Sequence, residues 1–246
     1  LEGSDTLTSY ILAVASEAGW DIPDASLKPM QNALRRFVAG EIMRDSVLPT
    51  TDLGLRKLAA VSALARYGMA DAAMLGSISI EPELWPTSGL LDWVDILKRV
   101  PNIDDGAAKL THAAQLLRAR LNFQGTVMGF ATEREDALWW LMISGDVNAA
   151  RVILEFLDDG AWREDMPRMV RGALARQEHG HWNTTVANAW GVLAMEKFSA
   201  AFESTPVDGA TELAFGTERT SMQWAPSNNP GRLEFPWQSN PIDLEV

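Results

Sequence analysis

Apolar side chains recur at helical spacing through residues 4 to 204, with caps and breakers between the periodic stretches. The first stretch is typical, because Ser4 or Asp5 can cap it and Gly19 can end it. Between these points, the apolar residues on one helical face are Leu7, Ile11, Leu12, Val14 and Ala15. The same pattern predicts further helices from Pro23-Asp24 through Val38, from Asp52 to Gly68, over Met69–Leu75, from Leu90 to Val100 with a cap at Ser88, over Ala107–Leu121, over Glu133–Ile143 with a cap at Thr132 and a break at Gly145, over Val147–Leu157, over Glu164–Gln177, and from Asn183 or Thr184 to Phe202.

The predicted helices fall into two kinds that alternate along the chain. One kind is Ala-rich and apolar on nearly all sides, which predicts burial on several faces. Its members open near Asp5, Asp52, Glu133 and Asn183. The segments between them, such as Leu27–Arg44 and Arg163–Gln177, are amphipathic and are predicted to form an outer layer. The first interval is about 47 residues and the last about 50, which is typical of helical arrays.

This period leaves two mostly α architectures open, a closed α/α toroid with paired helices in two layers and an open solenoid. They differ in whether the first and last helices approach each other. The helical pattern itself ends near Pro206, and from Ala210 to Val246 short strand-like runs are punctuated by glycine and proline. The predicted strands are Leu213–Phe215, Ser221–Trp224 and Arg232–Phe235. We therefore predict a helical toroid over 1–205 and an incomplete β-strand segment of a flanking domain over 206–246.

The composition limits the chemistry that the chain can perform. Apolar residues make up 47% and charged residues 22% of its 246 residues, enough for a sizeable core. The net charge of −12, without a basic stripe, argues against nucleic-acid binding. No cysteine is present, so disulfides, thiol nucleophiles and thioesters are excluded within this sequence. No apolar run approaches the ~18 residues of a membrane span, so membrane insertion is not expected. The abrupt start at Leu1, just before a helix, suggests a piece of a larger protein.

Two adjacent acidic pairs, Asp104-Asp105 and Asp158-Asp159, are the first candidates for chemistry. Some α/α-toroid terpene cyclases use aspartate-rich motifs to bind magnesium diphosphate or to protonate an alkene. Here each pair lies at a predicted helix boundary, where adjacent side chains diverge by about 100° and do not converge on one ion. We therefore interpret the first pair as a helix cap and the second as part of a loop.

The densest polar and aromatic cluster is the stretch from Gln177 to Trp182, which contains Glu178, His179 and His181. These side chains could ligate zinc, but no further ligand stands at a known spacing, and His112 is distant in sequence. We interpret the stretch as a loop that leads into a buried helix. The glycines of Gly125–Phe130 follow a predicted helix instead of a strand, so this stretch is predicted to be a loop without phosphate binding.

The chain has ten tryptophans, an unusual number for its length. Trp139, Trp140 and Trp190 fall in helices that are predicted to be buried. Others cluster near helix ends, namely Trp85, Trp93, Trp162 and Trp182. Aromatic side chains that line a helical barrel can hold sugars, but a glycosidase also needs paired carboxylates across a cleft. We favour core packing for these tryptophans.

Several stretches resemble one family. Residues Ser4–Leu12 resemble the "LTAY" helix start of thioester-containing domains in complement proteins and alpha-2-macroglobulins, and Asp21-Ile22-Pro23 fits the bacterial branch. The stretch Gly180–Trp190 resembles a late inner helix of that domain. The tail Leu233–Trp237 resembles the strand segment that follows it in bacterial alpha-2-macroglobulins.

The resemblance implies an α/α toroid of helix pairs, flanked in sequence by a β-domain. It also implies a non-catalytic domain of an endopeptidase inhibitor, a periplasmic, cell-surface or secreted protease trap. Its partners would be neighbouring domains of the same longer protein and, through that protein, target proteases. The family's thioester needs a Cys and a Gln, and no Cys is present, so the motif either falls upstream of Leu1 or is absent from the parent. No catalytic residue, metal ligand or cofactor is assigned, and we expect that the chain is not an enzyme.

The alternative is an α/α-toroid enzyme that acts on a glycan or an isoprenoid. Its support is the number of tryptophans and the two acidic pairs. It predicts that Asp104, Asp105, Asp158 or Asp159 faces the interior of the barrel. If all four lie at the outer ends of helices, this hypothesis loses its acidic groups.

Overall fold

The computed structural model describes residues 3–48, 50–131, 138–203, 209–215, 218–224 and 244–245. The chain divides into two compact units, Leu1–Phe198 and Ser199–Val246. The helices are α1 (Asp5–Glu17), α2 (Asp24–Val38), α3 (Leu53–Ala65), α4 (Thr87–Arg99), α5 (Gly106–Ala119), α6 (Gly145–Phe156), α7 (Met166–Leu174) and α8 (Thr185–Phe202). Short 3-10 turns cover Ala72–Ser77, Pro82–Leu84, Trp139–Leu141 and Gly160–Trp162.

Local sequence signals account for several of the helix ends. The Ser4 hydroxyl accepts a hydrogen bond from the Leu7 backbone N–H at 3.2 Å, which caps α1 as predicted. Thr184 does the same for the N–H of Ala187 at 3.1 Å and so caps α8. At the other end of α1, Gly19 has a φ of 67°, a left-handed conformation that glycine adopts without strain.

The helices of the first unit form an inner and an outer layer. Along the inner layer, α1 packs on α3, α3 on α4 and α4 on α6. The outer helices α2, α5 and α7 pack against α3, α4 and α6 respectively. The inner helices are buried on several sides, since Leu58, Val61 and Leu64 of α3 and Leu90 and Leu91 of α4 are fully inaccessible to solvent. The predicted two-layer arrangement of paired helices is confirmed. The assignment of helices to layers is wrong for α4 and α6, which lie between the predicted inner helices in sequence but belong to the inner layer.

Helix α8 completes the inner layer. The Lys197 ammonium of α8 bonds the Glu17 carboxylate of α1, so the first and last inner helices meet. On its other side, the Trp190 ring of α8 lies 5.7 Å from the guanidinium carbon of Arg151 in α6. The inner helices therefore form a closed ring, as in a toroid, and the open solenoid is ruled out. None of the helices in the described ranges is both long and apolar enough to cross a membrane.

The prediction that Gly125–Phe130 is a loop is wrong. An antiparallel hairpin covers this region, with β1 (Leu121–Gln124) paired to β2 (Val127–Phe130). Gly125, at a φ of 62°, supplies the left-handed residue that a two-residue turn needs. The strands are only four residues long, too short for the period-2 pattern to stand out from the preceding helix. Met128 and Phe130 of β2 are buried, and β2 packs against α7.

The helix predicted over Glu133–Ile143 is wrong where the structure describes it. Residues 132–137, with the predicted cap Thr132, lie outside the described residues. From residue 138 only the short turn Trp139–Leu141 forms, and Met142 at a φ of 59° ends it. Gly145 does not break the chain but begins α6, because the Ser144 hydroxyl accepts from the N–H of Val147 and caps the helix.

Smaller corrections concern three predicted helix starts. The partner helix predicted over Met69–Leu75 is a 3-10 turn over Ala72–Ser77. Ser88, the predicted cap of α4, lies inside the first turn of that helix. Asp52 occupies the cap position of α3 but makes no capping hydrogen bond, because its carboxylate instead accepts from the indole N–H of Trp140 at 3.0 Å.

The second unit contains the last residues of α8 and an antiparallel sheet of strand order β4-β3-β5. The strands are β3 (Gly209–Phe215), β4 (Glu218–Trp224) and β5 (Leu244–Glu245). The predicted strands Leu213–Phe215 and Ser221–Trp224 form parts of β3 and β4, and Arg232–Phe235 lies outside the described residues. The mostly α fold with a short C-terminal β segment is confirmed. The domain bounds 1–205 and 206–246 stay a prediction.

Candidate functional site at the centre of the helix ring

A buried arginine at the carboxyl end of α3 contacts the other inner helices. Arg66 caps the C-terminus of α3, and its side chain is 2% exposed. Its guanidinium reaches Glu17 of α1 at 2.5 Å, Asp95 of α4 at 3.0 Å and Glu155 of α6 at 3.3 Å. The indole of Trp190 in α8 lies 5.9 Å from the guanidinium carbon. One cation therefore contacts a side chain from each of the other four inner helices.

We define the ion cluster as Arg66 with Glu17, Asp95 and Glu155. Three further cations lie at its rim. Arg99 donates to Asp95 at 2.6 Å, and the Lys98 ammonium lies 3.5 Å from Glu155. Lys197 bonds Glu17. These rim cations are 32–43% exposed at the side chain, whereas the carboxylates are at most 10% exposed. With Arg66 the rim cations give four positive charges against three carboxylates, so they more than offset the excess negative charge around Arg66.

Burial shifts the protonation equilibria of the cluster in different directions. Burial, with the nearby charge of Asp95, raises the pKa of Glu155 to about 7, although Arg66 and Lys98 oppose this. Burial would also raise the pKa of Glu17, but its bonds to Lys197 and Arg66 lower that pKa below its ordinary value. Burial lowers the pKa of Arg66, and the surrounding carboxylates more than offset this. Arg66 therefore stays charged, and Glu155 is the group that titrates near neutrality.

Replacing Glu155 with glutamine should flatten the pH dependence of stability above about pH 5.5. The folded-state pKa of Glu155, about 7, lies above the ordinary value of 4.5. This group's stabilisation is therefore complete below about pH 4.5 and is lost as the pH rises through about 7. We expect wild-type protein to lose about 1–3 kcal/mol more than the variant between about pH 5.5 and 8. Urea unfolding at several pH values measures this difference.

The matched control is Glu164→Gln, a change at an exposed glutamate outside the cluster. It should leave the pH profile of the wild-type protein unchanged over the same range. Parallel profiles for wild type and Glu155→Gln would contradict the assignment of a raised pKa to Glu155.

A second buried ion group joins α1 and α3 near their amino ends. Arg56 donates to the two carboxylate oxygens of Asp5 at 2.6 and 2.9 Å. Its third guanidinium nitrogen lies 3.6 Å from Asp52. The Arg44 backbone carbonyl also accepts from Arg56, at 3.2 Å. All three charged side chains are at most 4% exposed, so this group anchors the segment before α3 against α1.

Between the two ion groups lies a cavity of about 70 Å³. Every inner helix contributes to its wall, together with the segment that precedes α6. Its lining residues are Thr6, Ser9, Tyr10, Ala13, Leu55, Arg56, Ala59, Ser62, Ser88, Gly89, Asp92, Leu141, Met142, Ile143, Val147, Arg151 and Trp190. Arg151 and Asp92 pair across it at 2.7 Å, and burial raises the pKa of Asp92. The cavity is far smaller than the roughly 300–1,000 Å³ of typical small-molecule sites.

The fold of the chain is similar to that of solved alpha-2-macroglobulin structures. The native conformation of alpha-2-macroglobulin from Escherichia coli, solved by cryo-electron microscopy, matches 91% of this chain with a TM-score of 0.56 and 13% identity. A crystal structure of the same native protein from domain MG7 to the C-terminus matches 91% with a TM-score of 0.55 and 14% identity. The trypsin-activated form gives the same coverage, TM-score and identity. This chain has the fold of part of a bacterial alpha-2-macroglobulin.

The chain spans only 13%, 33% and 14% of these three alpha-2-macroglobulin chains. No protein-family model matches the sequence, and no curated protein matches it. The resemblance to bacterial alpha-2-macroglobulins that the sequence shows is thus confirmed as a likeness of fold.

In this alpha-2-macroglobulin fold, the two acidic pairs lie away from the cavity. Asp104 and Asp105 are exposed immediately before α5, and Asp105 has a φ of 53° and makes no capping hydrogen bond. Asp105 thus occupies the N-cap position, as predicted for the first pair, but its side chain does not cap the helix by a hydrogen bond. Asp158 and Asp159 are exposed after α6. The Asp159 carboxylate accepts from the N–H of Ala161 at 2.9 Å, a local turn contact.

The histidine-containing stretch forms a tight turn, as predicted. Glu178 and His181 exchange backbone hydrogen bonds at 2.9 and 3.2 Å, and His179 with Gly180 makes the left-handed corner. His112 lies elsewhere, 2.8 Å from Glu83. Within the described part of the chain, no three histidine or acidic side chains are grouped as a metal site.

The tryptophans divide between the core and the surface. Trp93, Trp162, Trp182 and Trp190 are at most 4% exposed, in agreement with packing as their role. Trp182 also donates its indole N–H to the Ala173 carbonyl at 2.9 Å. Trp139, predicted to be buried, is 74% exposed. That prediction depended on a helix over Glu133–Ile143. Only a short turn forms at Trp139, so this residue does not lie on a buried helical face.

The residues of the ion cluster were missed by sequence reasoning. The clearest signal is Arg66, a charge that directly follows the apolar run Ala63-Leu64-Ala65, whereas the helices of Asp95 and Glu155 carry several other charges. A charge at such a position needs a buried partner. That signal indicates that the helix ends meet, but it does not reveal which acid pairs with which base.

Proposed function

We propose that this chain is a non-catalytic structural and interaction domain of a bacterial alpha-2-macroglobulin-like endopeptidase inhibitor. The observation that supports this most is the fold likeness, which extends over 91% of the chain for both native and trypsin-activated alpha-2-macroglobulin. The residue range 1–205 would be the toroid that resembles a thioester domain, and 206–246 part of the flanking β-domain.

The ion cluster suits a domain that must move as one body. A protease trap rearranges when its target cleaves it, and its domains then change their relative positions. Arg66 links three carboxylates from three helices, and Lys197 links α8 to α1. Such buried pairs resist separation, because removing one partner leaves a charge uncompensated. The ring would therefore transmit a displacement to neighbouring domains without opening.

The partners in this proposal are neighbouring domains of the same longer protein and, through that protein, target proteases. A periplasmic, cell-surface or secreted location follows from the same proposal. A catalytic role has little support, since the carboxylates around the cavity are engaged by Arg56 and Arg151. The glycan or isoprenoid alternative loses its acidic groups, because all four aspartates of the two pairs are exposed beside helix ends.

The test uses the longer protein that contains this chain. It is treated with trypsin and its shape is followed by small-angle X-ray scattering, and a second sample is treated with methylamine and analysed by mass spectrometry. We expect a compaction after trypsin cleavage. A methylamine adduct would identify a thioester elsewhere in the longer protein, and its absence with a shape change would identify a steric trap. The absence of both an adduct and a shape change would refute the proposed function.

A further inference from the structure

Two hydroxyl groups in the cavity wall have no hydrogen-bond partner among the residues that the structure describes. Ser9 of α1 is 5% exposed and Ser88 of α4 is 1% exposed, and the side-chain oxygen of each is fully buried and unpartnered. A buried hydroxyl without a partner is costly, and such groups are nearly always satisfied by protein or by ordered water. Both residues line the cavity of about 70 Å³, so its contents can supply the missing partners.

The charges around the cavity are already compensated. Arg151 pairs with Asp92 at 2.7 Å, and Arg56 lies between Asp5 and Asp52 at 2.6 and 3.6 Å. Each of these charges thus has an opposite charge within 4 Å, so the occupant need not be charged, although the Arg56 Nη1 atom is a further buried donor without a hydrogen bond among the described residues. A neutral occupant that both donates and accepts hydrogen bonds fits the two serine hydroxyls.

The volume limits the occupant further. A water molecule needs about 10–15 Å³ of such space, so about 70 Å³ admits a few waters or one very small organic molecule. The wall is polar on the sides of Ser9, Ser88 and Asp92 and apolar at Ala13 and Ala59. Polar cavities of this size are hydrated, whereas those that stay dry are lined by apolar groups alone.

We propose that the centre of the ring is a hydration site, in which a small cluster of ordered water molecules bonds Ser9 and Ser88 and joins α1 to α4. The site extends toward the ion cluster through Ser62, which lines the cavity and donates to Asp95 at 2.6 Å. The water is thus a structural ligand of the inner helices. This inference is independent of the proposed function.

The double variant Ser9→Ala/Ser88→Ala distinguishes a hydrated cavity from a dry one by the sign of its effect. If water satisfies the hydroxyls, their removal deletes hydrogen bonds and should lower Tm by about 2–6 °C. If the cavity is dry, removal deletes two unsatisfied groups and should raise Tm, which would overturn the proposal. Ser26→Ala, at an exposed position of α2, controls for the helix propensity of alanine.

A filling variant and a direct observation complete the test. Ala59→Leu would expel the water from a hydrated cavity and lower Tm, whereas in a dry cavity it fills space and raises Tm. In a high-resolution crystal structure of the wild-type chain, we expect water density within hydrogen-bond distance of both serine oxygens. An empty cavity, or one filled by an organic molecule, would overturn the proposal even if the variants fail to fold.

Discussion

Replacing Arg66 with methionine should lower the free energy of unfolding by about 3–5 kcal/mol. Methionine has a similar length, so the change removes the charge and its hydrogen bonds more than it removes volume. Three carboxylates, those of Glu17, Asp95 and Glu155, would then lose the buried cation that they share. Urea unfolding near neutral pH measures the loss.

The matched control is Arg99→Met, because Arg99 also contacts Asp95 but is 40% exposed at its side chain. It should cost at most about 1 kcal/mol, the range of solvent-exposed ion pairs. Adding Glu155→Gln to the Arg66→Met variant should restore part of the stability. Without Arg66 the pKa of Glu155 rises further, and glutamine removes the cost of protonating this buried acid at neutral pH. A loss below about 1 kcal/mol for Arg66→Met would show that the cluster does not hold the ring together.

Replacing Gly172 with alanine should separate α7 from the hairpin, at a cost of about 2–3 kcal/mol or more. A Cβ at this position would lie 2.0 Å from the Met128 carbonyl oxygen and 2.9 Å from its carbonyl carbon. These are backbone atoms of β2, so no side-chain rotation relieves the clash. The expected result is a lower urea midpoint.

Gly54→Ala is the control for this change. Gly54 is also helical, in the first turn of α3, but a Cβ there meets nothing within 4 Å. Alanine should be neutral or slightly stabilising at this position, since it favours the helix. If both glycine variants behaved alike, the close approach of α7 to β2 would be refuted.

The helices could be predicted where their signals are local. The caps at Ser4 and Thr184 depend on a hydroxyl and an N–H three residues away, and both positions are legible in the sequence. The hairpin β1–β2 could not be predicted in the same way. Its strands gain their stability from packing between β2 and α7, some forty residues apart, and four residues are too few to reveal a strand period.

The ion cluster is harder to predict from the sequence than the hairpin, because its members come from separate helices. Adjacent acids such as Asp104-Asp105 are conspicuous in a sequence, yet on a helix they diverge and here they face solvent. Glu17 and Glu155 are unremarkable single residues that converge on Arg66 only after the ring has closed. Because tertiary packing brings these side chains together, no fixed spacing in the sequence identifies them.

The contact between Lys197 and Glu17 spans 180 residues, and this separation governs the order in which the chain can fold. During synthesis, α1 is made long before α8. Until α8 is present, Glu17 of α1 lacks Lys197, one of its two cationic partners. Helix pairs can form early from local contacts, but the seam between α1 and α8 closes last because long-range closure is slow. Until then the apolar flanks of both helices are open to other chains. The seam is therefore where assembly errors, such as exchange of α8 between two molecules, would begin.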